Sequence, residues 1–266
     1  MTIIESSSSP PEAAERAPFV TIVIPAFNEE QRLPASLDRT IGFLGEQPHL
    51  GEIIVVDDGS TDGTAGLVRQ RLDVVPANVR LRLLQHEANQ GKGAAIRTGC
   101  LAAAGTYVFF IDADTATPPE ESLKLLALLQ GGAAVVIGSR IQPDGSDMRE
   151  SQPPSRRRMG SMFTRLRKLL RVLPDIDDTQ CPMKGFRREA AQSIFARQRL
   201  HGWIFDAEVL HIARMQGYRI VEVPVSWRHI EGSRLRVRPQ QAFEVARDLL
   251  RLRFLHRPAA APAPVR

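Results

Sequence analysis

Residues 107–114 read Tyr-Val-Phe-Phe-Ile-Asp-Ala-Asp, an apolar run that ends in two carboxylates one residue apart. Residues 53–64 begin in the same way, because two aspartates follow an Ile-Ile-Val-Val run. In α/β sheets, ligands bind in the crevice outside the carboxyl ends of the strands. Hard divalent cations take oxygen ligands and often bridge protein carboxylates to substrate phosphates. Asp112 and Asp114 therefore predict a metal site that serves a nucleotide diphosphate.

The composition is that of one large domain. A chain of 266 residues that is 43% apolar can form a single α/β domain, which we predict over residues 19–256. Residues 1–18 lack the basic start and long apolar run of a signal peptide. We predict disordered tails over residues 1–18 and 257–266. No run of 18 apolar residues occurs, so no transmembrane helix is expected. Two cysteines make no disulfide framework, and a cytoplasmic location is expected.

The charge is distributed unevenly along the chain. Residues 1–139 carry 10 Lys/Arg and 17 Asp/Glu, a net charge of −7, whereas residues 140–266 carry 25 and 13, a net charge of +12. A basic half that faces an acidic, metal-binding half suits a protein that holds an anionic substrate between them. Nucleic acid is not the expected partner, because aromatic residues make up only 6% of the chain and no recognition motif occurs.

Apolar and polar periodicity predicts alternating strands and helices, and therefore right-handed crossovers and a largely parallel sheet. The predicted strands are 19–25, 52–56, 79–85, 107–111 and 133–137. The predicted helices of this half are 33–44, about 60–72 and 94–104. Basic amphipathic helices are predicted in the C-terminal half, over residues 156–173 and 239–256.

Two segments at predicted strand ends carry candidate nucleotide-binding residues. Asp57 and Asp58 follow the second strand, and one of them can cap the next helix. Since a cap needs only one carboxylate, we expect at least one to accept hydrogen bonds from a base or ribose. Lys92 lies between two glycines ahead of a helix N-terminus, where anions bind. The segment lacks the GxxxxGK[ST] pattern, which excludes the kinase and ATPase class built on it.

The basic helix at 156–173 has two interpretations. Arg157 and Ser161 lie four residues apart, so they share a helix face opposite the apolar stripe. In one interpretation the stripe packs on the core and the basic face is solvated. In the other, the stripe lies in a membrane interface while Arg157 and Ser161 face the site, as basic amphipathic helices bind anionic membranes.

Asp206, in the segment Phe205-Asp206-Ala-Glu208, precedes an apolar helix. It is either a helix cap or a carboxylate that acts on or positions an acceptor, and the residues favour neither. The six histidines have no zinc-ligand spacing. A GxSxG motif is also lacking, which leaves a serine hydrolase unsupported.

Five motifs of the first half follow one another in order. They are VTIVIPAFNEE (20–30), EIIVVDDGSTDGT (52–64), NQGKGAAIRTG (89–99), FFIDAD (109–114) and GSR (138–140). Together they resemble the family 2 inverting glycosyltransferases, whose GT-A fold is a mostly parallel Rossmann-like sheet flanked by helices. DDTQCPMKGF (177–186), WIFDAEVL (203–210) and VPVSWRHIEGSRL (223–235) resemble the dolichyl-phosphate β-glucosyltransferase branch, a sister of the mannosyltransferases.

The resemblance implies roles for particular residues. Asp112 and Asp114 would hold Mg²⁺ or Mn²⁺, and Asp206 is a further candidate catalytic residue. Arg140 and Arg234 would lie around the diphosphate and the acceptor phosphate, and Arg157 and Ser161 beside the acceptor. The implied nucleotide-binding residues are Pro25, Ala26, Asn28, Glu29, Asp57, Asp58, Lys92, Asp112 and Ala113.

Three departures from the branch concern the membrane and the acceptor. The eukaryotic branch carries an N-terminal membrane helix, and no such helix is expected from residues 1–266. Its usual DTQCGFKLF is DTQCPMKGF here, which bears on the acceptor. Its GSKL is GSRL here, which keeps the charge but changes the donor geometry.

The expected chemistry is in-line attack of a polyprenyl phosphate oxygen on the anomeric carbon, with inversion and loss of UDP at the cytoplasmic membrane surface. A phosphate monoester is already ionised near neutral pH. It needs cations rather than a strong base, and Arg140, Arg157 and Arg234 are expected to supply them. The alternatives are a GDP-mannose donor, a saccharide or small-molecule hydroxyl acceptor with Asp206 as base, and a silent nucleotide-sugar binding module.

Overall fold

A computed structural model of the chain describes residues 1–5, 17–114, 116–230 and 239–256. The strands are β1 (Thr2–Glu5), β2 (Val20–Ala26), β3 (Gly51–Asp57), β4 (Val79–Gln85), β5 (Tyr107–Phe110), β6 (Val135–Ser139), β7 (Lys184–Arg187) and β8 (Ile220–Pro224). The helices are α1 (Leu33–Gly45), α2 (Thr64–Arg69), α3 (Lys92–Ala102), α4 (Ser122–Gln130), α5 (Pro154–Leu169), α6 (Arg188–Arg197), α7 (Phe205–Met215) and α8 (Pro239–Leu255). Short 3₁₀ helices span Pro119–Glu121 and Met148–Ser151.

All eight strands belong to one sheet, in the order β1-β4-β3-β2-β5-β7-β6-β8. β4, β3, β2 and β5 run parallel to one another, as predicted, and β6 is parallel to β8. β7 runs antiparallel between β5 and β6, with Lys184 opposite Phe110. This segment overlaps the motif at 177–186, and its four residues did not predict a strand. The insertion of β7 brings Lys184 to the end of the strand that precedes the acidic pair.

The prediction of a disordered tail over residues 1–18 is wrong for Thr2–Glu5. This segment forms β1, which pairs antiparallel with β4. An ion pair of 2.9 Å between Glu5 Oε1 and Arg82 Nε adds to the backbone pairing. A four-residue strand is too short to show a clear alternation, which explains why the pattern did not reveal it. Residues 6–16, and the tail predicted over 257–266, lie outside the described residues.

The sheet separates two hydrophobic layers. On one face, helices α3, α6 and α7 pack through an aromatic cluster, in which the ring centroids of Phe110, Phe186, Phe195 and Phe205 lie 5.4–6.4 Å apart. On the other face, α1, α2 and α4 cover the alternate residues of the same strands. Central parallel strands are covered on both faces, which accounts for their continuous apolar runs.

Helix α5 packs on the first layer through its apolar stripe. Phe163, Leu166 and Leu170 contact the core, and Arg167 is fully buried with its guanidinium against the carbonyl oxygens of the segment that follows. The part of the stripe formed by Phe163, Leu166 and Leu170 therefore packs on the core, as the first interpretation expects, whereas Met162 is exposed. In the described part of the chain, none of the helices combines the length and the apolar character needed to cross a bilayer.

Candidate active site

The two acidic residues lie where the sequence placed them, just beyond the end of β5. β5 is paired with β2, and β2 with β3, so that the carboxyl ends of the three strands meet at one edge of the sheet. Asp112 Oδ1 lies 2.5 Å from Lys92 Nζ, at the first residue of α3. Burial by itself would lower the pKa of Lys92, but the carboxylates of Asp112 and Asp206 outweigh it and raise that pKa.

Asp114 is held differently from Asp112. Its Oδ1 accepts a hydrogen bond of 3.1 Å from the backbone N–H of Ala116. Burial, and then repulsion from Asp112, raise the pKa of Asp114 above its usual range. Arg32, at the start of α1, attracts both carboxylates electrostatically. The site thus presents two close carboxylates and two resident cations, a charge arrangement that a divalent ion and a diphosphate could enter by replacing ion pairs.

The carboxylate pair fits a hard divalent ion. Within the described residues there is no cluster of three or more His, Cys, Asp or Glu side chains able to hold a metal. An ion held by Asp112 and Asp114 would therefore take its remaining ligands from substrate phosphates or water, as Mg²⁺ commonly does. This donor set of hard oxygen atoms matches Mg²⁺ or Mn²⁺ and does not suit a soft metal.

Hydrogen bonds hold the predicted nucleotide-binding turn after β2 against the turn after β3. Asn28 adopts a left-handed backbone with φ 53°, its N–H donates to Ser60 Oγ over 2.8 Å, and its Oδ1 accepts from Thr61 N over 2.8 Å. Glu29 accepts a 2.7 Å hydrogen bond from Arg32 Nε, which orients that cation. Pro25 and Ala26 end β2, and Ala113 is buried between the two acids. The structure therefore gathers these predicted residues at the crevice.

Asp57 and Asp58 have separate tasks. Asp57 accepts hydrogen bonds of 3.0 Å from Ser60 N and from Gln85 Nε2, and a carboxylate with two such partners keeps further acceptor capacity. Asp58 contacts His86 Nδ1 at 2.7 Å and accepts from the backbone N–H groups of Gln90 and Gly91 at 3.0 and 2.8 Å. Asp58 was predicted to bind the nucleotide, and this prediction is corrected by its contacts. The Asp58 carboxylate holds the glycine-rich turn at residues 90–91.

Asp206 does not cap helix α7. It lies in the first turn of the helix, and its buried carboxylate is 2.5 Å from Nζ of the fully buried Lys184. Lys184 Nζ also donates to the carbonyl oxygen of Cys181 over 2.8 Å and lies 5.2 Å from the Phe110 ring centroid. Burial raises the pKa of Asp206, and the attraction of Lys184 and Lys92 opposes that rise. The carboxylate is thus part of a buried charge network.

Arg140, at the exit of β6, is committed to a partner that the sequence analysis missed. Its Nε and one terminal nitrogen each donate to Asp178 over 2.7 Å, and its backbone N–H donates to the same carboxylate over 3.0 Å. The guanidinium carbon of Arg140 also lies 5.5 Å from the ring centroid of Trp227. Burial alone would raise the pKa of Asp178, but Arg140 holds it well below its usual range. Arg140 is therefore a buried, oriented cation with one terminal nitrogen outside this clamp.

A cavity of about 510 Å³ opens beside Arg140. Its charged end carries Arg140, Arg149 and Arg156, together with Asp177 and Asp178. The rest of its wall includes the polar residues Gln152, Thr164, Thr179 and Gln180. A larger apolar part of the wall comes from α5, from the segment before α7 and from α8: Met159, Met162, Phe163, Leu166, Trp203, Ile204, Val245 and Ala246. A cavity with a charged end and apolar walls suits a ligand that has an anionic head and a hydrocarbon body.

Arg157 and Ser161 do not line this cavity; both side chains are exposed. Their predicted position beside the acceptor is therefore corrected, and the reason is the geometry of the helix. The cavity lies on the side of α5 that carries the apolar stripe, and residues 157 and 161 lie on the opposite side. The neighbouring Arg156 lines the cavity in their place. Arg234 lies in residues 231–238, outside the part of the chain that the structure describes.

The family model for glycosyl transferase family 2 matches residues 21–195, which is more than half of the chain. The chain belongs to this family. It is a glycosyltransferase, and the mostly parallel sheet is that of the GT-A fold. The resemblance seen in the sequence motifs is confirmed.

Several relatives of this glycosyltransferase are named dolichyl-phosphate β-glucosyltransferase. A protein of Trichomonas vaginalis with this name is 36% identical over 272 residues, which is 94% of this chain and 80% of the relative. The Dictyostelium discoideum protein is 35% identical, with 89% of this chain and 74% of the relative covered. The human protein is 35% identical, with 89% and 76% covered.

Solved structures share the fold of the glycosyltransferase. Glucosyl-3-phosphoglycerate synthase from Mycobacterium tuberculosis, in complex with UDP, superposes with a TM-score of 0.63 at 21% identity, covering 91% of this chain and 80% of that chain. The same synthase with Mn²⁺ and UDP-glucose gives a TM-score of 0.63 at 20% identity and the same coverage. At this level of identity the likeness establishes the architecture.

The site of the glycosyltransferase contains residues that the sequence analysis did not name, chiefly Arg32, Asp178 and Lys184. Asp178 and Lys184 lie in the quoted motif 177–186, so the motif indicated the right segment without identifying the partners. Arg32 follows the Asn-Glu-Glu turn as an ordinary charged residue, and only the fold brings it close to Asp112 and Asp114.

Replacing Arg140 with Met is expected to destabilise the glycosyltransferase by about 3–5 kcal/mol, because it leaves the buried Asp178 carboxylate without its partner. The double variant Arg140→Met/Asp178→Leu should recover much of that loss, since it removes the unpaired charge. Denaturant unfolding at pH 7 measures both. A double variant that is as unstable as the single one would contradict the explanation.

The same pair predicts a pH dependence. Asp178 has a lowered pKa in the folded state, so its contribution to the free energy of unfolding is present above the unfolded pKa of about 4 and is lost as the pH falls further. The stability advantage of the wild type over Asp178→Asn should therefore shrink below about pH 4.

Proposed function

We propose that this glycosyltransferase moves glucose from UDP-glucose to a polyprenyl or dolichyl phosphate, with inversion and with a divalent metal, at the cytoplasmic membrane surface. The observation that carries the proposal is the cavity beside Arg140, which joins an arginine-lined end to mainly apolar walls. The names of the relatives, which are about 35% identical over most of the chain, support the lipid phosphate as acceptor and glucose as the sugar.

The donor half of the reaction belongs to the edge of the sheet. Asp112 and Asp114 would hold Mg²⁺ or Mn²⁺, and such an ion neutralises the charge that develops on a departing nucleoside diphosphate. Lys92, now paired with Asp112, lies at the N-terminus of α3, where backbone N–H groups favour anions. Structures of the synthase with Mn²⁺ and UDP-glucose, or with Mg²⁺ and UDP, show that this fold accommodates such ligands in that protein.

The acceptor half belongs to the cavity. Arg140, Arg149 and Arg156 would contact the phosphate, and the apolar wall would contact the first isoprenoid units. Arg149 is bound to Asp147 through hydrogen bonds of 2.7–3.0 Å, so an incoming phosphate would compete with that carboxylate. Arginine suits this role because its planar donors match two phosphate oxygens at once.

In the transfer itself, a phosphate oxygen attacks the anomeric carbon from the side opposite UDP. A bond forms between that oxygen and the carbon as the bond from the carbon to the β-phosphate oxygen breaks, and the electron pair leaves with UDP. The attacking oxygen is already ionised near neutral pH, so no protein group has to remove a proton from it. Asp206, paired with Lys184, need not act as a base for this acceptor.

Two enzyme alternatives keep the same fold. With a saccharide or small-molecule hydroxyl as acceptor, a base is needed, and Asp206 is the candidate. The burial that raises its pKa favours this alternative to a small degree. A GDP-mannose donor is the other alternative. The silent binding module is not retained, because the family assignment makes the chain an enzyme.

Membrane attachment would use an exposed face of α5 that shares Met162 with the predicted apolar stripe. Arg158, Met162, Arg165 and Leu169 repeat at a spacing of four, three and four residues, so they share one face, and all four are exposed. Met162 and Leu169 have exposed fractions of 58% and 79%. Apolar side chains flanked by arginines suit the interface of an anionic bilayer, and Met162 also lines the cavity.

A donor screen tests the transfer. With Mg²⁺ and polyprenyl phosphate, we expect release of free UDP from UDP-glucose to exceed release of GDP from GDP-mannose at least tenfold.

Asp112→Asn should lower the rate of UDP release by about 100-fold or more, since metal charge stabilisation is worth several kcal/mol. Asp38→Asn, which alters an exposed ion pair with Arg71, is the matched control and should keep the wild-type rate. Full activity of Asp112→Asn would contradict the site.

A sedimentation assay tests the membrane face. The variant Arg158→Gln/Arg165→Gln should bind anionic liposomes roughly thirtyfold more weakly at low salt, at about 1 kcal/mol for each charge. The control Arg39→Gln/Arg69→Gln removes two exposed charges from the other half of the chain and should bind like the wild type. Equal binding by both variants, or no binding by the wild type, would contradict attachment through α5.

A further inference from the structure

His86 lies just after β4 and is not one of the residues that were predicted to bind substrate. Its ring is buried, and each ring nitrogen has a partner: Nδ1 is 2.7 Å from Asp58 Oδ1, and Nε2 is 2.9 Å from Thr98 Oγ1 on α3. The backbone N–H of His86 donates to the carbonyl oxygen of Asp57 over 2.9 Å. The residue thus connects the ends of β3 and β4 with the helix that begins at Lys92.

The Asp58 carboxylate is the contact through which His86 reaches the glycine-rich turn. Its oxygens accept hydrogen bonds from the N–H groups of Gln90 and Gly91. Because an ionised carboxylate can only accept, His86 Nδ1 carries a hydrogen and donates it. His86 therefore fixes the orientation of Asp58, and Asp58 fixes the two amides that immediately precede Lys92.

The opposite side of the turn is fixed as well. Gly91 has a backbone φ of 103°, and a Cβ at this position would lie 2.6 Å from the carbonyl oxygen of His201. The N–H of Gly93 donates to that same oxygen over 2.8 Å. The turn therefore lies between the Asp58–His86 pair and the segment before α7. Lys92, in the middle of the turn, directs Nζ to Asp112.

We propose that His86 is a positioning residue for nucleotide binding: through Asp58 it holds the 90–92 turn so that Lys92 meets the diphosphate. The inference rests on the proposed function, because it needs a diphosphate at this edge. His86 itself touches no substrate. Residues that orient metal ligands in this indirect way typically cost 10–100-fold in affinity or activity when they are replaced, and we take the lower end of that range as the scale for His86.

Two substitutions separate the two hydrogen bonds of His86. His86→Asn places an amide nitrogen at the position of Nδ1, so it keeps a donor for Asp58 and loses Thr98. His86→Gln places its amide near the position of Nε2, so it keeps Thr98 and loses Asp58. With Mg²⁺ present, calorimetry should give a UDP affinity within about twofold of the wild type for His86→Asn. For His86→Gln we expect an affinity roughly tenfold weaker.

A double-mutant comparison distinguishes positioning from a general structural role. If His86 acts through Lys92, His86→Gln should weaken UDP binding much less in a Lys92→Gln background than in the wild type. The same tenfold loss in both backgrounds would overturn the proposal. Equal affinity of His86→Gln, His86→Asn and the wild type would also overturn it.

If His86→Gln does not fold, the UDP affinity of Asp58→Asn is measured instead, because this variant keeps the side-chain volume and loses the carboxylate. The same tenfold loss of UDP affinity is expected. An unchanged UDP affinity would overturn the proposal. A wild-type chain that binds neither UDP nor GDP overturns the proposed function and this inference together. Wild-type binding without any difference among the variants overturns only the role of His86.

Discussion

The cost of burying charge is the constraint on which the site depends. Isolated ions are expensive to remove from water, so each buried charge needs a partner close to it. At the edge of the sheet, Asp112 pairs with Lys92, and Asp206 pairs with Lys184. Beyond β6, Asp178 pairs with Arg140. Each pair joins segments that are far apart in the sequence or on different elements, so the pairs that satisfy the charges also assemble the site.

These pairs differ in what a substrate could do to them. Arg140 and Asp178 form a closed bidentate unit, in which both carboxylate oxygens and three N–H groups are engaged. Lys92 and Asp112 form a single ion pair in which both side chains are about 30% exposed. A diphosphate that arrives with a divalent ion can take both partners of the second pair, since the ion suits the carboxylate and the phosphate suits the ammonium. The first pair is suited to orienting an arginine, and the second to exchanging its partners.

The sequence predicted the fold and the central strands of the N-terminal half well because their signals are local. Apolar runs that end in acids identified β3 and β5, and the order of the motifs identified the GT-A fold. Roles that depend on contacts across the fold were harder to predict. Asp58 resembles a nucleotide ligand in the sequence, yet the fold places it against Gln90, Gly91 and His86.

The acceptor half was less predictable for a geometric reason. On helix α5, one residue corresponds to a rotation of 100°. The orientation of the helix is set by packing of Phe163 and Leu166, so the cavity receives Arg156 and not Arg157. The ion pair between Lys184 and Asp206 could not be predicted either, because the pattern of four residues in β7 carries no information on it.

The central claim is that this site brings together two anionic reactants and needs no protein base. The most direct test compares two acceptors with the same isoprenoid chain, polyprenyl phosphate and polyprenol, by following glucosyl lipid formed from UDP-glucose near neutral pH. We expect product with the phosphate and none above background with the alcohol. Transfer to polyprenol at a comparable rate would contradict the account, because a hydroxyl acceptor requires a base that the proposed mechanism leaves out.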